Sequence, residues 1–189
     1  MTGAILAGGK SSRFGENKAL YPIKGRFMIE WISDTIKKFT EELFIVANDT
    51  SKYSFLDVPV HEDRFPGCGP LAGLHTALIH TNSDQVLILA CDMPFLNPAL
   101  IKIIINAAGS HDVVVPYTAR GPEPLHAIYH KNLLRIVEQL LMEGRHSMKD
   151  LLSSAPHQKL YFPGHEFINL NTKKELEKAL QLYDKCNSN

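Results

Sequence analysis

The chain has 189 residues, 44% of them hydrophobic, which is enough for one ordinary domain with a substantial core and excludes wholesale disorder. Twenty Lys and Arg balance twenty Asp and Glu, so no general basic field for nucleic acid exists and any bound anion is held by local clusters. Three cysteines, Cys68, Cys91 and Cys186, show no C-x-x-C spacing and so indicate neither a disulfide framework nor a zinc site.

The first apolar run is too short for a signal peptide, and no segment approaches the ~20 apolar residues of a membrane span. The expectation is a soluble cytoplasmic protein without membrane or nucleic-acid partners.

In chain order, residues 4–7 read as a buried strand that runs directly into a Gly-Gly loop. Met28, Ile29, Ile32, Ile36 and Phe39 recur at helical spacing. Residues 43–47 form a second strand and 58–61 a short one. A helix over 71–80 follows the glycine-rich stretch 67–70. Residues 86–90 make the strongest strand, and Asn97-Pro98 caps a helix running to about Ala108. Residues 113–115 form another strand, and 125–130 a further one whose direction stays open because no turn dipeptide precedes the next helix. That helix, 133–142, closes at Gly144, and Thr172-x-x-Glu175 is a capping box for a last helix through about Tyr183. Such alternation implies an α/β, three-layer architecture around a mainly parallel sheet. Residues 1–186 read as a single domain, with 187–189 a frayed tail.

The loop Leu6-Ala7-Gly8-Gly9-Lys10-Ser11-Ser12-Arg13-Phe14-Gly15-Glu16-Asn17-Lys18 has a phosphate-binding character. It is not a G-x-x-x-x-G-K-[ST] loop, because the first glycine position holds Ala4, and a one-residue slip misaims the backbone N–H groups. It is not G-x-G-x-x-G either, since Gly8 and Gly9 are adjacent. A plain solvated turn is the alternative, but a turn has little need of paired glycines, two hydroxyls, Arg13 and Lys18 together.

Ligands of such sheets collect beyond the carboxyl ends of the strands. Asp92, in Cys91-Asp92-Met93-Pro94, lies there as either a metal ligand or a turn residue before proline. Glu62-Asp63 follows the short strand as ligand contact or solvated turn. His61, His75, His80 and His126 show no ligand spacing and read as surface or satisfied core histidines.

The blocks Leu6-Ala7-Gly8-Gly9-x-Ser11-x-Arg13-Phe14-Gly15-x-x-Lys18, Gly69-Pro70-Leu71-Ala72-Gly73, Cys91-Asp92-Met93-Pro94, Pro124-Leu125-x-Ala127-x-Tyr129 and Phe167-x-Asn169-x-Asn171-Thr172 occur in one order over nearly the whole length. Together they resemble the molybdenum cofactor guanylyltransferases, the molybdopterin-guanine dinucleotide biosynthesis protein A family. The resemblance implies a Rossmann-like nucleotide-diphospho-sugar transferase fold. It implies transfer of GMP from GTP to the terminal phosphate of molybdopterin or molybdenum-molybdopterin, releasing pyrophosphate.

On the same resemblance, the catalytic residues are Arg13, Lys18 and Asp92, with Asp92 holding Mg²⁺. The GTP-binding residues are Leu6, Ala7, Gly8, Gly9, Lys18, Asn48, Asp63 and Asp92. Arg145, Asn169 and Asn171 fall on the molybdopterin side, although either asparagine also reads as a turn or as the approach to the Thr172 cap. His146 stands where the family often has arginine. Contact with molybdenum-inserting and molybdoenzyme-maturation proteins is implied as well. The alternatives are a cytidylyltransferase or sugar-1-phosphate nucleotidyltransferase of the same fold, and a non-catalytic nucleotide-binding protein.

Overall fold

The structure is a computed structural model that describes residues 1–8, 17–163, 167, 170, 175–177 and 179–180. Its elements in chain order are β1 (Thr2–Leu6), β2 (Pro22–Ile23), β3 (Arg26–Phe27), α1 (Met28–Ile36), β4 (Glu42–Val46), β5 (Val60–His61), α2 (Gly69–His80), β6 (Gln85–Ala90), α3 (Pro98–Asn106), β7 (Val113–Thr118), β8 (Gly121–Pro122), β9 (His126–His130), α4 (Leu134–Met142), α5 (Met148–Ser154) and β10 (Gln158–Tyr161). The main sheet runs β10-β7-β9-β6-β1-β4-β5, with β8 pairing β7.

β1 pairs in parallel with β4 and β6, β4 with β5, and β7 with β10. β9 is antiparallel to both β6 and β7, which settles the direction that its sequence left open. The reason is length: β7 returns through the short 119–125 connection, and a parallel crossover needs a dozen or more residues. Because β9 reverses and β7 reverses again, β1, β4, β5, β6, β7 and β10 all point their carboxyl ends to one side.

Alternation along the strands sends side chains to two covered faces, and that makes the three layers. Ala4, Leu6, Val86 and Ile88 pack under α2, α4 and α5. Ile5, Leu87 and Leu89 pack under α1 and α3. Ile29, Ile32 and Ile36 of α1 are fully buried, and truncating any one to alanine is expected to cost roughly 2–5 kcal/mol. A side chain on Gly3 would meet Ile36 Cγ2 at 2.8 Å, so this glycine is what lets α1 lie close on β1.

The elements depart from the sequence expectations in instructive places. α1 ends at Ile36, three residues before Phe39, which packs on from a turn. The strand expected over 58–61 shrinks to Val60–His61, and residues 131–133 form a 3₁₀ turn ahead of α4. The β2–β3 hairpin was not expected; Lys24 and Gly25 sit at φ 50 and 80, the left-handed pair of a two-residue turn. Helix α5 and strand β10 were also missed. α5 begins with a capping box, since Ser147 Oγ accepts from the Asp150 amide at 3.2 Å while Asp150 Oδ2 accepts from the Ser147 amide at 3.3 Å. The described residues between 175 and 180 are helical, whereas the Thr172 cap and the end near Tyr183 lie outside the described residues.

Candidate active site

Four parallel strands deliver the candidate residues to one edge. β1 ends on Leu6 and Ala7, both buried, and Gly8, which is exposed. β4 leads to Asn48, also exposed; β5 leads to Glu62 and Asp63; β6 leads to Cys91 and Asp92. Ala7 already uses its main chain inside the fold, its N–H donating to the Val46 carbonyl at 2.9 Å and its carbonyl accepting from Tyr53 Oη at 3.3 Å. At Gly8, the next described position, nothing within 4 Å would meet a Cβ.

Residues 9–16, and with them Gly9 and Arg13, lie outside the described residues. The loop re-emerges at Asn17, whose side chain caps a 3₁₀ turn at Lys18–Leu20 by accepting from the Ala19 amide at 3.1 Å. Asn17 Nδ2 donates to Tyr53 Oη at 2.8 Å, and the same hydroxyl donates to Ala7. Tyr53 thus joins the two ends of the phosphate-loop candidate through one buried oxygen, and burial pushes its phenol up to about 12. No sequence motif marks Tyr53. Only its placement after β4, in a 3₁₀ turn at Thr50–Tyr53, brings it under β1.

That anchored turn aims Lys18 at the tip of β6. Its Nζ lies 3.3 Å from Asp92 Oδ2, with only 12% and 23% of the two side chains exposed. The other carboxylate oxygen, Oδ1, is buried and has no hydrogen-bond partner among the described residues. An orphaned hard oxygen at a strand mouth fits Mg²⁺, which takes one or two protein carboxylates and completes its shell with water and substrate phosphates. Asp92 would hold such an ion. Next to it, burial pushes the Cys91 thiol up to about 12, so this cysteine is an inert packing residue.

Asp63 is half-buried, and Oδ1 accepts from the Phe65 amide at 3.0 Å, the turn-forming bond that an aspartate readily makes. Burial raises its pKa, with the Phe65 bond and the nearby His75 acting the other way.

On the far side, Arg145 is engaged by acids. Its Nη2 is 3.3 Å from Asp150 Oδ1 and its Nη1 3.6 Å from Glu143 Oε2. The loop that carries it stands against the start of α2, where a Cβ on Gly69 would meet the His146 carbonyl at 3.2 Å. Asn169 and Asn171 lie outside the described residues, but Leu170 donates its amide to the Asp92 carbonyl at 2.8 Å.

Two further charged residues went unnoticed in the sequence. Glu123, ahead of Pro124, has only 14% of its side chain exposed and lies 3.2 Å from Arg120. Burial raises its pKa, Arg120 opposes that, and the Asp92 charge adds to the rise, which puts Glu123 within electrostatic range of the strand tip. Arg120 also donates through Nη2 to the Phe167 carbonyl. A charged residue at the mouth of a strand hairpin was the available clue.

The histidines are not all satisfied. His126 is buried with Nε2 unpartnered, and His75 with Nδ1 unpartnered, among the described residues. His61 and His80 stack at 3.7 Å between ring centroids.

A glycine at the end of the first strand, a lysine after the loop that follows it paired to a carboxylate on the neighbouring strand, and a mainly parallel sheet that brings them to its carboxyl edge fit a nucleotidyltransferase of the Rossmann-like NTP transferase fold. Residues 3–159 match the family described as "MobA-like NTP transferase domain". The molybdenum cofactor guanylyltransferase of Desulfosudis oleivorans is 40% identical over 189 residues, covering 95% of this chain and 94% of that protein.

Among solved structures, a protein from Aquifex aeolicus VF5 superposes with a TM-score of 0.79 at 34% identity, covering 90% of this chain and 93% of the other. The molybdopterin-guanine dinucleotide biosynthesis protein A of Archaeoglobus fulgidus gives 0.81 at 25% identity, covering 98% and 100%. The chain belongs to the MobA-like NTP transferase family.

Proposed function

We propose that this protein is a molybdenum cofactor guanylyltransferase, which takes GMP from GTP and places it on the terminal phosphate of molybdopterin or molybdenum-molybdopterin. The observation that carries the reading is the Lys18–Asp92 pair at the β6 tip with Asp92 Oδ1 left unpartnered, in a chain whose relatives bear that name.

The reaction joins two polyanions. An oxygen of the acceptor phosphate attacks the GTP α-phosphorus, the bond to the bridging oxygen breaks, and its electron pair leaves with pyrophosphate. The protein's task is to place the two phosphates together and offset the charge that builds up on the leaving group. Gly8 and Gly9 let main-chain N–H groups approach the triphosphate without a Cβ between them. Leu6, Ala7, Asn48 and Asp63 belong to the guanine nucleotide side. Arg13 supplies a planar fork and Lys18 a point charge for phosphate oxygens. Bound at Asp92, Mg²⁺ would supply Lewis-acid neutralisation of the phosphates. Arg145, Asn169 and Asn171 serve the acceptor, so that the two anionic substrates do not compete for one cationic cluster.

The reading places the protein in the cytoplasm, as a single domain over 1–186, passing its product to molybdenum-inserting and molybdoenzyme-maturation proteins. Among the described residues no helix is long and apolar enough to cross a membrane.

The test supplies purified protein with each nucleoside triphosphate, Mg²⁺ and molybdopterin and identifies the nucleotide in the product. A guanine dinucleotide supports the reading. A cytosine dinucleotide formed in preference replaces it with cytidylyl transfer, and transfer to a sugar phosphate in place of molybdopterin removes it.

A further inference from the structure

A second carboxylate stands beside Asp92 at the tip of β6. The β6–β9 ladder ends where the Ala90 amide donates to the Leu125 carbonyl at 2.9 Å. Asp92 follows Ala90 by two residues and Glu123 precedes Leu125 by two, so both leave the ladder at the same end.

A bulge puts Glu123 there. On β7, Val114 pairs with Ile128, while two residues further on the Pro116 carbonyl accepts from the Glu123 amide at 2.9 Å. A step of five residues on the β8–β9 side thus faces a step of two on β7. The surplus folds into a turn in which the His126 amide donates to the Glu123 carbonyl at 3.1 Å. Extra residues of this kind re-aim a side chain and are common beside active sites.

Each carboxylate meets a cation. Lys18 Nζ lies 3.3 Å from Asp92 Oδ2, and Arg120 Nη2 lies 3.2 Å from Glu123 Oε1. The Arg120 side chain is 55% exposed and that of Glu123 only 14%, so water screens the guanidinium more than the carboxylate. Burial is the main cause of the raised Glu123 pKa, Arg120 opposes it, and the Asp92 charge adds to the rise, so the two acids feel each other. A dication held by Asp92 alone would share one carboxylate with the Lys18 ammonium. A second carboxylate offsets that excess of positive charge, and Mg²⁺ is ordinarily held by one or two protein carboxylates together with substrate phosphates.

We propose that Glu123 is the second carboxylate of the Asp92 cation site: it holds Mg²⁺ jointly with Asp92, and Arg120 keeps it in place until the cation arrives. This rests on the reading of Asp92 as the metal residue of guanylyl transfer.

The test titrates the protein with Mn²⁺, a paramagnetic substitute for Mg²⁺, and follows the free ion by electron paramagnetic resonance without nucleotide or molybdopterin. Glu123→Gln keeps the size of the side chain and an oxygen that accepts from Arg120, and removes the charge. It is expected to weaken Mn²⁺ binding about tenfold or more. The Mg²⁺ concentration for half-maximal transfer should rise by a similar factor. Asp92→Asn should weaken Mn²⁺ at least as much. Arg120→Met, which frees the Glu123 carboxylate of a competing cation, should leave Mn²⁺ affinity equal or tighter. Thermal unfolding of each variant checks that it is folded.

Unchanged Mn²⁺ affinity in Glu123→Gln overturns the proposal, as does failure of the unaltered protein to take up Mn²⁺. A loss in Arg120→Met as large as in Glu123→Gln overturns it too, since Glu123 would then act only by holding Arg120. The guanylyl-transfer reading is judged separately, by the nucleotide that the unaltered protein places in its product. It can fail while the two-carboxylate cation site stands.

Discussion

Lys18 Nζ meets Asp92 Oδ2 at 3.3 Å, joining residues 74 positions apart in the chain. The contact brings the end of the opening loop to the tip of β6 and leaves Asp92 Oδ1 buried without a partner among the described residues. A lysine and a carboxylate that neutralise each other at rest can separate their duties when a triphosphate and a cation arrive, the ammonium turning to phosphate and the carboxylate to the metal.

Asp92→Ala is therefore expected to lower turnover by roughly 100-fold or more, a few kcal/mol of transition-state stabilisation. Lys18→Ala should weaken GTP and slow transfer with the molybdopterin KM little changed. The two changes share one contact, so their effects on GTP binding should fall short of additive in a double-mutant cycle. Steady-state kinetics with calorimetry checks all three. Near-normal turnover of Asp92→Ala at saturating Mg²⁺ would take Asp92 out of the mechanism.

Tyr53→Phe removes the hydroxyl that accepts from Asn17 and donates to Ala7, and leaves the ring packed. The loss in stability should be about 1 kcal/mol, the usual net worth of such a bond, read by urea denaturation. GTP affinity should drop more than molybdopterin affinity, because the bonds hold the two ends of the phosphate loop. Equal loss of both would make Tyr53 a core residue with no particular tie to the loop.

Gly3→Ala places a methyl group 2.8 Å from Ile36 Cγ2, with Thr40 and Leu43 at 3.2 Å behind it. Helix α1 must shift off the sheet to admit it. The expected cost is about 1–3 kcal/mol, seen as a lower midpoint in thermal unfolding. Gly8→Ala, where a Cβ meets nothing within 4 Å, should leave stability almost unchanged and affect GTP binding alone.

Burial pushes the His126 ring down to about 3 from an ordinary 6.5. Between those values the unfolded chain holds a proton that the native chain refuses, so stability falls as pH falls, by up to about 1.4 kcal/mol per pH unit. Above about pH 6.5 both states are neutral and the group has no effect. His61 and His80, also lowered by burial and by neighbouring positive charge, act in the same direction. His126→Leu should flatten the acid limb of a stability–pH curve between about pH 6.5 and 4. An acid limb as steep as that of the unaltered protein would show that His126 is reached by solvent or paired in solution.

The sequence by itself determined the layered α/β plan, because period-two and period-3.6 apolar patterns are local properties of the chain. It determined that Gly8 follows the first strand and that Asp92 stands at the tip of β6 for the same reason: each lies next to a strand that can be read in place. It could not determine the direction of β9, which depended on the short return from β7 and on which strands flanked it.

Nor could it join Lys18 to Asp92, Tyr53 to Ala7 and Asn17, or Arg120 to Phe167, since each is a contact between residues distant in the chain and fixed only when the sheet is assembled. Lys24-Gly25 and Ser147-x-x-Asp150 were legible as a turn and a capping box but too short to stand out from loop. What only the tertiary structure decided is thus which charges meet. Burial at the strand ends makes those meetings matter, for an ion pair or hydroxyl shielded from water holds its geometry where the same groups on the open surface would not.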